Sequence, residues 1–173
     1  MRTVLRLTTV FGLLLGAGLF ALSCGGGGGG DPLTLEEYFQ ELDVAENDFR
    51  AAQDESGAAF AALDDTTPVE DVVDLLAELR DVVDEFVANL DDIDPPPEAE
   101  AAHNETMGGF QVVSESIGDA VDSIDSDTTA DEIFAIFQEP EVVEAETALD
   151  ASCNALQTLA DDNNIEVDLS CQD

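Results

Sequence analysis

The chain has 173 residues, with 41 Asp and Glu against four Lys and Arg, and its formal net charge at pH 7 is −37. Such a charge repels nucleic-acid phosphates and anionic lipid headgroups, so neither is expected as a direct partner of the folded part. The hydrophobic fraction of 45% and the helical periodicity described below argue against a disordered chain.

The first 23 residues predict an export signal. Arg2 and Arg6 give a positively charged start, and residues 7–22, 16 in all, are then almost wholly apolar. Because this run is shorter than the roughly 20 residues that span a bilayer as a helix, it favours a removable signal peptide over a retained membrane helix.

The apolar run ends in Ala21-Leu22-Ser23-Cys24. These residues resemble the lipobox of prokaryotic lipoproteins, although leucine is commoner than alanine at its first position. The resemblance implies that a dedicated peptidase cuts before Cys24 and that the Cys24 thiol carries a diacylglyceryl group, which holds the new N-terminus in the membrane. The alternative is an ordinary secretory signal that is cleaved nearby.

Six consecutive glycines, Gly25–Gly30, follow the cysteine. Polyglycine has no side chains to pack and a large conformational entropy, so it predicts a flexible tether. We therefore divide the chain into a signal peptide (1–23), a lipidated cysteine with its tether (24–33) and an acidic helical-bundle domain (34–173).

The acidic domain has very few basic side chains. Cleavage removes Arg2 and Arg6, so only Arg50 and Arg80 remain and the mature charge becomes 2 − 41 = −39, with no lysine. A lysine-free, aspartate-rich surface resembles proteins from salt-adapted organisms, where high ionic strength screens repulsion between like charges. Equal melting temperatures at low and high NaCl would contradict this hypothesis.

The first two long helices are predicted from capping boxes and apolar periodicity. The first begins at Thr34–Glu37 and its apolar stripe continues to Leu63, with either Ala45 or Glu46 in the stripe. Glu46 stands four residues before Arg50, the favourable order for an ion pair.

The second helix begins at Thr67–Glu70, with Pro68 at its first position, and ends before Pro95. Its apolar seam alternates steps of four and three, as in helices that pack nearly parallel or antiparallel to their neighbours. The seam consists of Val72, Leu76, Leu79, Val83, Phe86, Leu90 and Ile93.

The third long helix is predicted to start at Pro97 or Glu98 and to run to about residue 124. Gly108-Gly109 lies in its middle, where we expect either a bend or the close approach of a neighbouring helix. A third capping box, Thr129–Glu132, predicts a short helix that ends before Pro140, where the last long helix begins.

Four long helices with short connections predict an all-α fold, an antiparallel up-down four-helix bundle with one extra short helix. Apolar and polar residues alternate from Ile165 to Ser170, which indicates an extended strap along the bundle. Cys153 lies on the last helix and Cys171 at the end of the strap, so we predict a disulfide that pins the C-terminal tail, as export to an oxidising compartment permits. The alternative is two free buried thiols.

Six residues are weak candidates for a metal site. Glu100 and His103 have the Glu-x-x-His spacing of di-iron helical bundles, but a chain with one histidine cannot supply the second such motif. The other four lie in two aspartate clusters that lack the glycine and the closing glutamate of an EF-hand loop. These are Asp125 and Asp127, and Asp161 and Asp162. We interpret both clusters as solvated turns.

No motif for catalysis is present: the sequence has no Gly-x-Ser-x-Gly, no phosphate-binding loop and no paired histidines, so we expect neither an enzyme nor a cofactor. The sequence predicts an exported, lipid-anchored cell-envelope protein with a binding or structural role. Its expected partners are the membrane, through the lipid, and an envelope protein or a cation. The alternative is a lipoprotein that binds a small ligand or a divalent cation, which requires a pocket, and Gly108-Gly109 is where we would seek an opening.

Overall fold

A computed structural model of the protein describes residues 33–63, 67–125, 128 and 130–171, and these contain no β-strand. The all-α fold class is therefore confirmed for this part of the chain. The predicted signal peptide, Cys24 and the glycine tether lie outside it. The helices are α1 (Leu35–Ala61), α2 (Val69–Asp91), α3 (Glu100–Ser123), α4 (Ala130–Ile136) and α5 (Pro140–Asp162).

Helix α1 begins at the predicted capping box. The Glu37 amide donates to Thr34 Oγ1 at 3.3 Å, and the Thr34 amide donates to a Glu37 carboxylate oxygen at 3.0 Å. Both halves of the box are therefore present, and two amides at the helix start have acceptors. The Thr34 hydroxyl also donates to the Glu37 carboxylate at 2.6 Å. This bond, and after it the bond from the Thr34 amide, lowers the pKa of the Glu37 carboxyl, because both favour its ionised form.

Helix α5 begins at Pro140, as predicted, but the predicted starts of α2 and α3 were less accurate. Pro68 occupies the N-cap of α2 and the helix begins one residue later, so Thr67 is not the N-cap and Pro68 is not the first helical residue, contrary to the prediction. Helix α3 begins at Glu100 because a turn precedes it, in which the Ala99 and Glu100 amides donate to the Pro96 carbonyl at 2.9 and 3.1 Å. Thr129 of the third predicted box lies outside the described residues.

Close backbone contacts join α1 to α2, α2 to α3, and α3 to α5, while α4 contacts α3. In the described part of the chain, α1 and α5 have no comparable contact along their length. Helix α3 is therefore the central helix of the packing, and the side of the molecule between α1 and α5 is completed by other residues.

Buried apolar side chains form two clusters. The first core cluster combines α1, the end of α2, the start of α3, the end of α5 and the C-terminal segment. Its members are Tyr38, Phe39, Leu42, Ala45, Phe86, Leu90, Ile93, Ala99, Leu156, Ala160 and Leu169. The second core cluster is smaller and joins α2 to α3 through Leu76, Leu79, Val83 and Ile117. The predicted α2 seam supplies buried residues to both clusters, which explains its regularity.

Three phenylalanines connect the two clusters. The rings of Phe49 and Phe86 are stacked with centroids 4.3 Å apart, and Phe110 meets them edge-on at 5.3 and 4.9 Å. Offset and edge-on arrangements are the favourable geometries for aromatic pairs. Since the three rings come from α1, α2 and α3, they fix the relative positions of these helices at the middle of the core.

Candidate functional site

The interface between α3 and α5 is closed at the position where an opening was sought. A Cβ placed on Gly109 would lie 2.6 Å from Leu149 Cγ, so the missing side chain of Gly109 makes room for Leu149. Nearby, Thr106 donates a hydrogen bond to Ser152 Oγ at 2.8 Å. The predicted close approach of a neighbouring helix is therefore confirmed, and Leu149 occupies the place of the expected pocket. Gly108 faces open space.

Two shallow clefts lie on the surface. One, of about 150 Å³, lies between α1 and α2, and its lining residues include Phe49, Phe86, Asp48 and Glu85. The other, of about 190 Å³, lies beside the end of α3 and includes Asp119. Both are smaller than the roughly 300–1,000 Å³ typical of small-molecule sites, and both carry carboxylates.

His103 is buried beside the first core cluster, and only 3% of its surface is exposed. Its Nδ1 lies 3.2 Å from the Tyr38 hydroxyl, and its ring also hydrogen-bonds the main chain of Leu90. Burial lowers the pKa of His103, and burial likewise raises the pKa of Tyr38. The two rings therefore form a neutral, hydrogen-bonded pair between α1 and α3.

The candidate metal ligands are not brought together. Glu100 is exposed, whereas His103 is buried against Tyr38. In residues 33–63, 67–125, 128 and 130–171 no three His, Cys, Asp or Glu side chains are grouped to hold a metal ion. The Asp125 carboxylate accepts from the Thr128 hydroxyl at 3.1 Å.

Asp127 lies outside the described residues, so its position in the first aspartate cluster is not assigned. In the second cluster, the Asp161 carboxylate accepts a hydrogen bond from Gln157 Nε2 at 3.0 Å, and both Asp161 and Asp162 are exposed at the end of α5. Of the candidate aspartates, Asp125 follows α3, and Asp161 and Asp162 lie at the end of α5. All three are exposed to solvent.

The two arginines of the described region each pair with a carboxylate one turn away on the same helix. Arg50 Nη2 lies 2.7 Å from Glu46 Oε2, which confirms the predicted ion pair, and Arg80 Nε lies 3.7 Å from Asp84 Oδ2. Asp84 also accepts a hydrogen bond from the Ser114 hydroxyl on α3. The second pair is half exposed, and its contribution is therefore that of a surface ion pair.

The sequence did not decide whether the side chain of Glu46 is buried or exposed. Its side chain is only 18% exposed, and burial raises its pKa to about 8 despite the opposing attraction of Arg50. The carboxylates of Asp43 and Asp168 add to the rise. The sequence feature that could have predicted this burial is the position of Glu46 beside Ala45 in the apolar stripe of α1.

The predicted disulfide is present: Cys153 and Cys171 are bonded, with their Cα atoms 5.6 Å apart. The segment before Cys171 is neither helix nor strand, and the side chain of Gln157 holds it. Gln157 Nε2 donates to the Val167 carbonyl at 3.1 Å, and Gln157 Oε1 accepts from the Leu169 amide at 2.9 Å.

Comparison with other proteins assigns this chain neither a family nor a function. A scan against protein-family models found no match, and searches of the curated proteins and of the solved structures found no similar protein. Among the helices of the described residues, none combines the length and apolar character that crossing a membrane requires.

Proposed function

We propose that the protein is an exported, lipid-anchored component of the cell envelope, and that its acidic helical domain has a non-catalytic binding or structural role outside the cytoplasm. The observation that carries this proposal is the order of segments in the chain. The lipobox-like residues 21–24 are followed by Gly25–Gly30 and then, from Leu35, by a folded helical domain. A lipid at Cys24 would anchor that domain through a tether with no fixed conformation.

The disulfide between Cys153 and Cys171 supports export. Stable structural disulfides form in oxidising compartments and are rare where thiol reductants are abundant. Both cysteines are half-buried, so the bond has access to redox partners after translocation. Because this feature is far from residues 1–24, it supports export independently of the N-terminal pattern.

We further propose that the domain is an antiparallel up-down bundle, with α4 as an extra short helix in the connection between α3 and α5. On the α2–α3 pair, Asp84 meets Ser114, while Arg80, earlier on α2, meets Gly118, later on α3. This reversed order supports opposite helix directions. The α1–α2 pair follows the same rule, because Leu33 meets Asp94 and, later on α1, Phe49 meets the earlier Phe86. The α3–α5 pair does so too. Its contacts are Thr106 with Ser152 and Gly109 with Leu149.

The tether and the charge together favour a protein partner over the lipid surface. About nine residues separate Cys24 from Leu33, and a flexible chain of that length spans roughly 15–18 Å on average. With a mature charge of 2 − 41 = −39, the domain is repelled by anionic headgroups. A basic surface of another envelope protein is the partner that this charge fits best, since complementary potentials accelerate association.

The ligand-binding alternative is less well supported. Leu149 fills the position at Gly109 where an opening was expected, and the described clefts of about 150 and 190 Å³ are shallow. A small-molecule receptor needs a concave pocket in which a few polar groups converge. We therefore place the interaction on the acidic surface.

Metabolic labelling with a fatty acid tests the lipid anchor. The full chain expressed in a bacterial host is expected to incorporate the label and to sediment with membranes, whereas Cys24→Ser is expected to lose both. The matched control is the double variant Cys153→Ser and Cys171→Ser, which keeps Cys24 and should remain labelled. Equal membrane association of wild type and Cys24→Ser would refute the proposal.

A further inference from the structure

The C-terminal segment 165–171, which we call the strap, completes the side of the molecule between α1 and α5. Leu169 is 4% exposed and belongs to the first core cluster, and Ile165 and Val167 pack against that cluster. On the α1 side, Arg50 Nη2 donates to the Asp168 carbonyl at 3.4 Å. The strap therefore fills space that a direct α1–α5 contact would otherwise occupy.

The end of α5 does not depend on the strap for its own hydrogen bonds. Asn164 has φ 56°, and its amide donates to the Asp161 carbonyl at 3.1 Å. The Ile165 amide donates to the Ala160 carbonyl at 2.9 Å. This pair of bonds around a left-handed residue is the Schellman arrangement, which satisfies the last carbonyls of a helix. The strap can leave the bundle by rotation beyond Ile165 without unwinding α5.

Few interactions hold the strap beyond that point. Gln157 supplies two hydrogen bonds and Arg50 a third. Leu169 is buried in the first core cluster, Val167 packs against it, and the disulfide to Cys153 is the covalent link. Next to that link, Ser170 has φ 49°, a left-handed conformation that is unfavourable for a non-glycine residue. The Ser170 amide donates to the Asp168 carboxylate at 2.8 Å, a bond within the strap that does not hold it to the helices.

We propose that the strap is redox-released: residues 166–171 leave the groove between α1 and α5 when the Cys153–Cys171 disulfide is reduced, while the helices and the cap at Ile165 stay in place. The reductant is a dithiol. It transfers two electrons and two protons, the Sγ–Sγ bond breaks, two protein thiols form, and the dithiol becomes a disulfide. Both cysteines are half-buried, so a dithiol can approach the bond. Release uncovers the apolar groove that Leu169 fills.

The strap also carries charge that favours its release. Asp168 lies close enough to Glu46 to raise the pKa of that carboxyl, and the exposed Glu166 adds a further acidic group to the strap. Arg50 is the cation facing this group, and it is shared between the Glu46 carboxylate and the Asp168 main chain. Above about pH 8, where Glu46 is ionised, repulsion among these acids opposes closure and the disulfide has to offset it.

Hydrogen–deuterium exchange on the full chain, with and without dithiothreitol, tests the strap. After reduction, confirmed by alkylation of Cys153 and Cys171, exchange at the Leu169 amide should become on the order of 100-fold faster, the factor that loop closure of this length implies. An apolar dye should bind to the reduced protein alone. Amides in the middle of α2 should change by less than about threefold, because the helices stay folded.

Two outcomes would overturn the proposal. If the strap amides stay protected in the fully reduced protein, the disulfide does not control the strap. If the α2 amides accelerate by the same factor as Leu169, the disulfide is a staple for the whole domain and no separate release exists.

Variants separate the covalent link from the hydrogen bonds. The double variant Cys153→Ser and Cys171→Ser should reproduce the reduced protein without any reductant. Gln157→Ala, with the disulfide intact, removes both side-chain hydrogen bonds but should accelerate exchange at Leu169 by less than about tenfold. If Gln157→Ala releases the strap as fully as reduction does, Gln157 and not the disulfide controls it.

Discussion

The two ends of the helical domain differ in how completely their apolar side chains are buried. At the strap end, the first core cluster is covered by α1, α2, α3, α5 and the strap, and the disulfide lies beside it. At the α4 end, the second core cluster has four buried members and is surrounded by half-buried side chains such as Phe60 and Phe137. Stability in a folded domain is uneven, and opening begins where burial is least complete. The strap end therefore contains most of the buried core, and we expect the α4 end to open first.

The largest expected effect comes from truncating matched leucines on α2, one in each cluster. Leu90 is 0% exposed in the first core cluster, and Leu76 is 3% exposed in the second. Leu→Ala changes in cores cost about 2–5 kcal/mol, and the cost rises with the volume of the cavity left behind. We expect Leu90→Ala to lie near the top of this range and Leu76→Ala near the bottom, because half-buried neighbours can collapse into the smaller site.

Urea denaturation of both variants at constant high salt measures the difference in free energy of unfolding. Both variants should keep the denaturant dependence of the wild type. A larger loss for Leu76→Ala than for Leu90→Ala would reverse the proposed ranking of the two ends.

Replacing glycines on α3 by alanine is expected to have the next largest effect on the free energy of unfolding. A Cβ at Gly109 would meet Leu149 at 2.6 Å, whereas a Cβ at Gly118 would meet the flexible guanidinium of Arg80 at 3.0 Å. Gly109→Ala should destabilise by about 1–3 kcal/mol through overpacking. Gly118→Ala should be nearly neutral, because Arg80 is half exposed and can move while alanine favours the helix.

The matched control is Gly108→Ala, one residue from Gly109. No atom lies within 4 Å of the added Cβ, so this variant should gain up to about 1 kcal/mol from helix propensity alone. Thermal melts measure all three variants. The double variant Gly109→Ala and Leu149→Ala should recover part of the loss, and failure to recover would show that the contact with Leu149 is not its cause.

Much of this architecture could be predicted because it depends on local chemistry. The α2 seam repeats a spacing that only a packed helix requires, and six of its seven predicted members, all but Val72, are buried. The capping box at Thr34 needs only two residues that lie three positions apart. The disulfide followed from the small number of cysteines remaining once Cys24 was set aside.

Other features depend on where distant segments meet, which spacing alone does not reveal. Sequence periodicity left both Ala45 and Glu46 as candidates for the buried stripe, and the burial of Glu46 depends on Arg50 and on the strap. Likewise, the strap was expected along the bundle, but its position between α1 and α5 follows from three-dimensional packing. Among the metal candidates, the partner of His103 is Tyr38, 65 positions earlier in the chain.

The pH dependence of stability should be visible at Glu46, which lies at the strap end. Its folded pKa of about 8 is above the ordinary 4.5, so the folded state holds an extra proton between these values. Stability is therefore highest below the ordinary pKa and falls as pH rises through about 8. Glu46→Gln should remove this slope and be more stable than wild type above pH 8, as measured by chemical denaturation from pH 5 to 9.

His103→Gln provides a control of opposite sign for this experiment. Burial lowers the pKa of His103 from the ordinary 6.5, so below pH 6.5 the unfolded state binds a proton that the folded state does not. The contribution of His103 to the free energy of unfolding is therefore lost as pH falls below 6.5. The slope removed by Glu46→Gln should persist in His103→Gln. A Glu46→Gln profile parallel to that of wild type would contradict the assignment of the slope to Glu46.

The smallest effect is expected at the start of α1, where the strap end has its only confirmed capping box among the described helices. Thr34→Ala removes the Oγ1 acceptor of the Glu37 amide and should cost about 1 kcal/mol in unfolding free energy. Thr34→Ser keeps an acceptor in the same place and should stay within a few tenths of a kcal/mol of wild type. Because helix ends open locally, hydrogen exchange at Glu37 should rise in Thr34→Ala more than exchange at Leu90 in the core. Equal increases at both amides would mean that α1 opens only with the whole domain, and the strap end would then unfold as a single cooperative unit.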